Sequence, residues 1–152
     1  MVKKSHTRTN KKVDYQNFLK HLSLVDLGLI ESSSKFLPDD YMKLRSEKSE
    51  RATISIGAEY DLKEAKERYF EVVAKFKLNI VGTKTKTHPV SIECSFLAHF
   101  HTKESVVKDL AERFTNIDFK IIAWPYFRQF IHDVTARMSI PPLLIPLSLE
   151  EA

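Results

Sequence analysis

His99 and His101 stand at i, i+2 spacing, so on a strand they would share one face and could chelate a metal ion with a third ligand. The plainer reading of two histidines near a strand end is a pair of surface residues, and no metal site is expected. Cys94 alternates in phase with apolar neighbours, which makes it a small core residue rather than a nucleophile. Asp39 and Asp40 are adjacent loop acids with no partner in view, and His132 falls on the polar side of its helix. The three glycines, Gly28, Gly57 and Gly82, are too scattered to build a phosphate-cradling loop or a dinucleotide turn. No Gly-x-Ser-x-Gly elbow occurs. No catalytic residue and no cofactor are therefore assigned, and an enzyme is not expected. Lys75 and Lys77 beside Tyr69 could stack and neutralise a single-stranded nucleic acid. Glu71 shares their face, so a solvated sheet surface is the better reading and no nucleic-acid partner is expected.

Surplus apolar material is the more informative feature. Phe36, Leu37, Tyr41 and Met42 lie in a long connection, and Leu143, Leu144, Ile145 and Leu147 lie in a proline-broken tail too short to fold alone. Exposed apolar patches mark binding surfaces, and Met and aromatic side chains suit surfaces that accept varied partners. The same residues could equally close the ends of the chain's own core or pack against another copy.

Three stretches that must position these residues alternate with period two. The even positions of Ala52–Leu62, Arg68–Val81 and Val90–His101 are almost all apolar, and the odd ones mostly polar. Each such strand has one buried and one wet face, which defines an antiparallel sheet covered on one side. Burial of each large apolar side chain contributes roughly 1.5–3 kcal/mol. Tyr15–Ile30 reads as a fourth, bent strand: Phe18, Leu22 and Leu24 alternate in one phase, Val25, Leu27 and Leu29 in the other, and such a phase change suggests a bulge. Glu31–Arg51 reads as a long connection with a helical turn near Asp39–Arg45. Thr102–Asn116 reads as a helix capped by Thr102 or Ser105, and Asn116–Ile122 as a connector. A longer helix then starts at Pro125, a residue favoured at a first helical position, and stops at Pro141 and Pro142. Its apolar stripe comprises Tyr126, Phe127, Phe130, Ile131, Val134 and Met138, with Arg128, Gln129, His132, Thr135 and Ala136 opposite. The order β-β-β-β-α-α is that of an α+β fold, with a four-stranded antiparallel sheet and helices packed on one face.

Composition sets the outer limits. A chain of 152 residues, 43 % apolar and 29 % charged, is that of one globular domain. No apolar run approaches the ~20 residues of a membrane span, so stable membrane insertion is not expected. One cysteine and no apolar leader favour the cytoplasm. Residues 1–12 carry five basic and no acidic side chains, leaving 19 basic against 20 acidic in the remainder. The positive charge thus belongs to a basic tail over residues 1–14, expected to be a disordered solubilising arm, ahead of a domain spanning residues 15–152.

Tyr69–Leu78 (YFEVVAKFKL), the polar hairpin after it and PVSIECSFLAHF together resemble the central hairpin of the SecB family of protein-export chaperones. So does a short helix ending at Asn116-Ile117, followed by Trp124-Pro125-Tyr126 opening a longer helix that carries Arg128, Ile131 and Arg137. The apolar Ile140–Leu147 is similar to that family's exit from the helix. The resemblance covers roughly residues 52–147 and implies an ATP-independent holdase that keeps non-native polypeptides soluble for export or delivery to a partner. It also implies a homotetramer, a dimer of dimers, with the long helix sandwiched between sheets through Tyr126, Phe127, Phe130, Ile131 and Val134. Clients would lie against Phe36, Leu37, Tyr41 and Met42, and then against the Leu143–Leu147 tail. Two departures bear on the partner. Family members that dock the SecA motor do so through acidic residues on the sheet, whereas this folded part is near neutral, so SecA is the weaker of the expected partners. The chain also ends soon after Leu147, where the family usually adds another helix. A shortened, charge-altered relative fits equally a dedicated chaperone or adaptor that binds the aggregation-prone antitoxin of a toxin–antitoxin system.

Overall fold

A computed structural model describes residues 14–47, 51–143 and 145–146. The basic tail expected over 1–14 lies outside the described residues except for Asp14, as do Leu144 and Leu147. Four strands, β1 (Leu22–Phe36), β2 (Ala52–Lys66), β3 (Tyr69–Gly82) and β4 (Val90–Thr102), form one antiparallel sheet in the order β1-β4-β3-β2. The helices are α1 (residues 14–20), α2 (Pro38–Ser46), α3 (Lys108–Asn116) and α4 (Phe119–Arg137). The α+β class and the four-stranded antiparallel sheet expected from the alternation are what the chain adopts.

The alternation fixes which side chains share a face. On β3, Phe70, Val72, Ala74, Phe76, Leu78 and Ile80 are buried, and on β4 so are Val90, Ile92, Cys94, Phe96, Ala98 and Phe100. These two strands are central and α4 lies on them. Phe127 stacks on Phe76 with ring centroids 4.5 Å apart, Trp124 meets Phe76 at 6.0 Å, and Phe130 meets Phe96 edge-on at 6.3 Å. Phe114 of α3 and Phe119 of α4 close the end of the sheet around Phe70 and Phe100.

Several boundaries differ from the sequence reading. The expected strand from Tyr15 is instead helix α1 followed by β1. Tyr15, Phe18, Leu19 and Leu22 also fit an i, i+3, i+4, i+7 pattern, and burial of Tyr15 plus stacking of Phe18 on Phe70 decide for the helix. The Tyr15 hydroxyl donates to Asp118, and the Arg113 guanidinium lies 4.0 Å from the Tyr15 ring centroid. The strand then runs on through Glu31-Ser32-Ser33-Ser34, where the sequence pattern suggests a connection, because β4 offers an unbroken ladder from Glu31↔Ser95 as far as Phe36↔Val90. The expected bulge is present twice, at Val25 and at Ile30. Each extra residue shifts the phase, so Leu24, Leu27 and Leu29 stay on the helix side while Asp26 and Glu31 stay outside.

The expected turn near Asp39–Arg45 is the full helix α2, with Pro38 in its first turn and Asp39 and Asp40 near its positive N-terminus. Thr102 ends β4 rather than capping a helix. Its N–H bonds the Arg68 carbonyl at 2.8 Å, the Val106 N–H bonds Glu67 at 2.6 Å, and α3 starts only at Lys108. Most of the expected connector Asn116–Ile122 is the first turn of α4, so Pro125 sits inside the helix instead of opening it. Proline there leaves the Ile121 carbonyl without its usual i+4 donor, a cost offset by burial of Phe119, Ala123, Trp124 and Phe127 on either side. Thr135, placed on the polar side by its type, is fully buried and returns its hydroxyl to the Ile131 carbonyl at 2.7 Å.

Candidate functional site

Strand register gathers much of the surplus apolar material at one end of the sheet. Phe36, Val90, Ile80 and Ile54 lie side by side across all four strands, and Ser34, Ile92, Leu78 and Ile56 form the next row. The central members, Val90, Ile80, Ile92 and Leu78, are buried. At the β1 side, the Leu37 N–H bonds the Pro89 carbonyl at 2.8 Å, which sets α2 over this end. The Phe36 and Tyr41 rings meet at 5.7 Å and Leu44 is buried, while Met42 is 60 % exposed. The tail folds back along α4: the Ile140 N–H bonds Thr135, and the Trp124 indole N–H bonds the Pro146 carbonyl at 2.8 Å.

The expected client-contact residues therefore divide by environment. Phe36, Leu37, Tyr41 and Leu143 are half-buried, Met42 is exposed, and Ile145 is buried together with Ile140. Ile140 and Ile145 thus close this chain's own core, the second possibility that the tail's composition allowed. Leu144 and Leu147 lie outside the described residues. The expected interface residues divide likewise. Phe127 and Ile131 are fully buried in the chain's own core, whereas Tyr126 is 45 % exposed and Phe130 and Val134 are half-buried on the flank of α4 facing β1. A cleft of about 470 Å³ lies there, lined by Leu29, Ser34, Phe130, Val134, Arg137 and Met138 among others.

Residues that sequence reasoning passed over complete the apolar surface. Both β1 and β2 are edge strands of the sheet. On β2, Ile54 is 40 % exposed, and Ile56, Ala58, Tyr60 and Leu62 are only half-buried. Ile117 and Ile121, near the start of α4, are exposed. On β1, Leu24, Val25, Leu29 and Ile30 are exposed. A signal was present on β2, whose apolar face carries the small Ala58 opposite Phe76 of β3.

The residues first considered for chemistry have structural employment. Burial pushes the Cys94 thiol up to about 12, which keeps it protonated and inert. His99 faces Asp26 through Nδ1 and Glu71 through Nε2, and the His101 ring lies 4.8 Å from Tyr69. Lys77 pairs with Glu93 at 2.7 Å, Lys75 stands opposite Glu59, and His132 is exposed beside Asp133. Among the described residues no cluster of three or more His, Cys, Asp or Glu could hold a metal ion, and no helix is long and apolar enough to cross a membrane.

A four-stranded antiparallel sheet with a long helix laid over one face is the SecB-like α+β fold that the residues resembled. A solved structure with this fold is the SecB-like chaperone Rv1957 of Mycobacterium tuberculosis, in complex with a ChAD peptide from the Rv1956 HigA1 antitoxin. It superposes with a TM-score of 0.67 over 91 % of this chain and 96 % of that one, at 14 % sequence identity. A protein of unknown function from Streptococcus agalactiae matches with a TM-score of 0.49 at 8 % identity, over 82 % of this chain and 96 % of that one, too distant to argue from. No family model and no curated protein matches the chain.

Proposed function

We propose that this chain is an ATP-independent holdase, which binds non-native polypeptide segments on its uncovered apolar edges and keeps them soluble. The observation that carries the reading is the SecB-like fold with Met42, Ile54, half-buried Phe36 and Tyr41, and the free β2 edge at one end of the sheet. An extended client would pair with the β2 backbone while its side chains rest on the Ile54, Ile56 and Tyr60 face. Affinity then comes from apolar burial and main-chain hydrogen bonds, with no cofactor, no nucleotide and no catalysis.

The chain would work in the cytoplasm as a homotetramer, a dimer of dimers. Exposed Leu24, Val25, Leu29 and Ile30 on β1, continued by Tyr126, Phe130 and Val134 on α4, offer the contact surface. The outer sheet face carries Lys75 and Lys77 among its acids, so it is poorly suited to a partner that reads acidic residues, and SecA remains the weaker assignment. A dedicated antitoxin chaperone is the second reading, favoured because Rv1957 is bound to a peptide of an antitoxin. Light scattering of a denatured model protein tests the holdase: suppression at stoichiometric tetramer is expected, and none would refute it. A competition series over unrelated unfolded clients separates the two readings, since a general holdase binds all of them and a dedicated one binds a single peptide.

A further inference from the structure

On the outer face of the sheet, His99 of β4 reaches both neighbouring strands at once. Its Nδ1 meets an Asp26 carboxylate oxygen on β1, and its Nε2 lies 3.0 Å from Glu71 Oε1 on β3. Only the protonated ring donates from both nitrogens, so this geometry is made by the cation. The Val25 bulge is what brings Asp26 into line. Without that extra residue, Asp26 would share the helix face with Leu24; with it, Asp26 stands opposite His99. The same bulge breaks the β1–β4 ladder, so the clasp sits where the edge strand is least held by its backbone. We propose that the Asp26–His99–Glu71 bridge is a pH-sensitive clasp that fixes the first half of β1, closed while His99 is protonated and loosened when it loses its proton.

The surroundings favour that role. Asp26 from β1, Glu71 and Tyr69 from β3, His101 from β4, Glu64 with Lys66 from β2, and Glu67 from the turn between β2 and β3 are the titratable groups around the ring. Lys66 is already paired with Glu64, which leaves Asp26 and Glu71 to hold the imidazolium. The Asp26 hydrogen bond and charge, helped by Glu71, raise His99 above the ordinary imidazole value. The folded chain therefore holds this proton more tightly than the unfolded one. The clasp contributes fully below about pH 6.5, the free imidazole value, and is lost as pH rises through the higher folded value. Loosening makes the stretch bearing Leu24 and Val25 open more often, and each opening exposes the β4 edge behind it. The clasp belongs to the sheet itself and goes beyond the holdase reading.

NMR of the full chain tests it, following the His99 ring and amide exchange in β1 and β3 between about pH 6 and about pH 8.5, a range that brackets imidazole titration. Expected are a His99 midpoint above that of free histidine and a loss of β1 protection of about threefold at the higher pH, corrected for intrinsic exchange, with β3 unchanged. The size is that of exposed ion pairs. Asp26→Asn should lower the His99 midpoint, and both Asp26→Asn and His99→Gln should flatten the pH dependence of β1. A His99 midpoint at or below that of free histidine, β1 and β3 responding alike, or an unaltered β1 profile in Asp26→Asn would each overturn the clasp.

Discussion

Met42 and Ile54 allow the client surface to be probed without disturbing the fold. Met42 is 60 % exposed on α2 and Ile54 is 40 % exposed at the β2 edge, so neither is a core residue. Phe36 and Tyr41 lie nearby but pack on each other, and their removal would mix stability with binding. Complete burial of such a side chain is worth roughly 1.5–3 kcal/mol. Scaled by exposure, a client covering both would gain about 2 kcal/mol from them, or about 30-fold in affinity. The double variant Met42→Ser with Ile54→Ser should therefore weaken binding of a fluorescently labelled unfolded polypeptide by about that factor, read by anisotropy. Its oligomeric mass and circular dichroism should stay near wild type, while the part of each side chain already covered in the free chain lowers the thermal midpoint, so affinity is measured well below that midpoint. Val107→Ser provides the control: its side chain is 53 % exposed at the start of α3, toward the opposite end of the sheet, and affinity should not change. An unaltered dissociation constant in the double variant, with fold and mass intact, refutes the placement of the client.

Phe127→Ala removes the ring stacked on Phe76 and should cost about 3–5 kcal/mol, seen as a lowered denaturant midpoint. Cys94, buried and with its thiol pushed up to about 12, should resist a thiol reagent in the native chain and react on unfolding, and rapid native labelling would contradict its core placement. Tyr126→Ser with Val134→Ser should reduce the mass measured by light scattering and leave the circular dichroism unchanged, since neither residue is fully buried. An unchanged mass would remove the α4 flank from the interface.

The hydrophobic period of two over β2, β3 and β4 was enough to define the sheet, because strict alternation leaves each strand only one face to bury. The resemblance at the Trp124-Pro125-Tyr126 start and along the hairpin was enough to point to the SecB-like fold. Local pattern failed where two periods coincide or where pairing overrides propensity. Phe18, Leu22 and Leu24 alternate, yet Tyr15, Phe18 and Leu19 are also spaced for the helix that α3 and Phe70 hold in place. The serines at 32–34 are poor strand formers held in line by β4. Pro125 reads as a helix start because proline is favoured at a first helical position, and only the aromatic packing of Phe119 carries the helix back across it. Apolar surplus itself was visible in the sequence. Which part of it stays open was not, because exposure depends on what lies across the sheet. Ile145 is closed in by the fold of its own tail, Phe127 is covered by Phe76, Ile54 stays open on the edge strand β2, Met42 on the outer side of α2, and Leu29 in a cleft that α4 borders without filling.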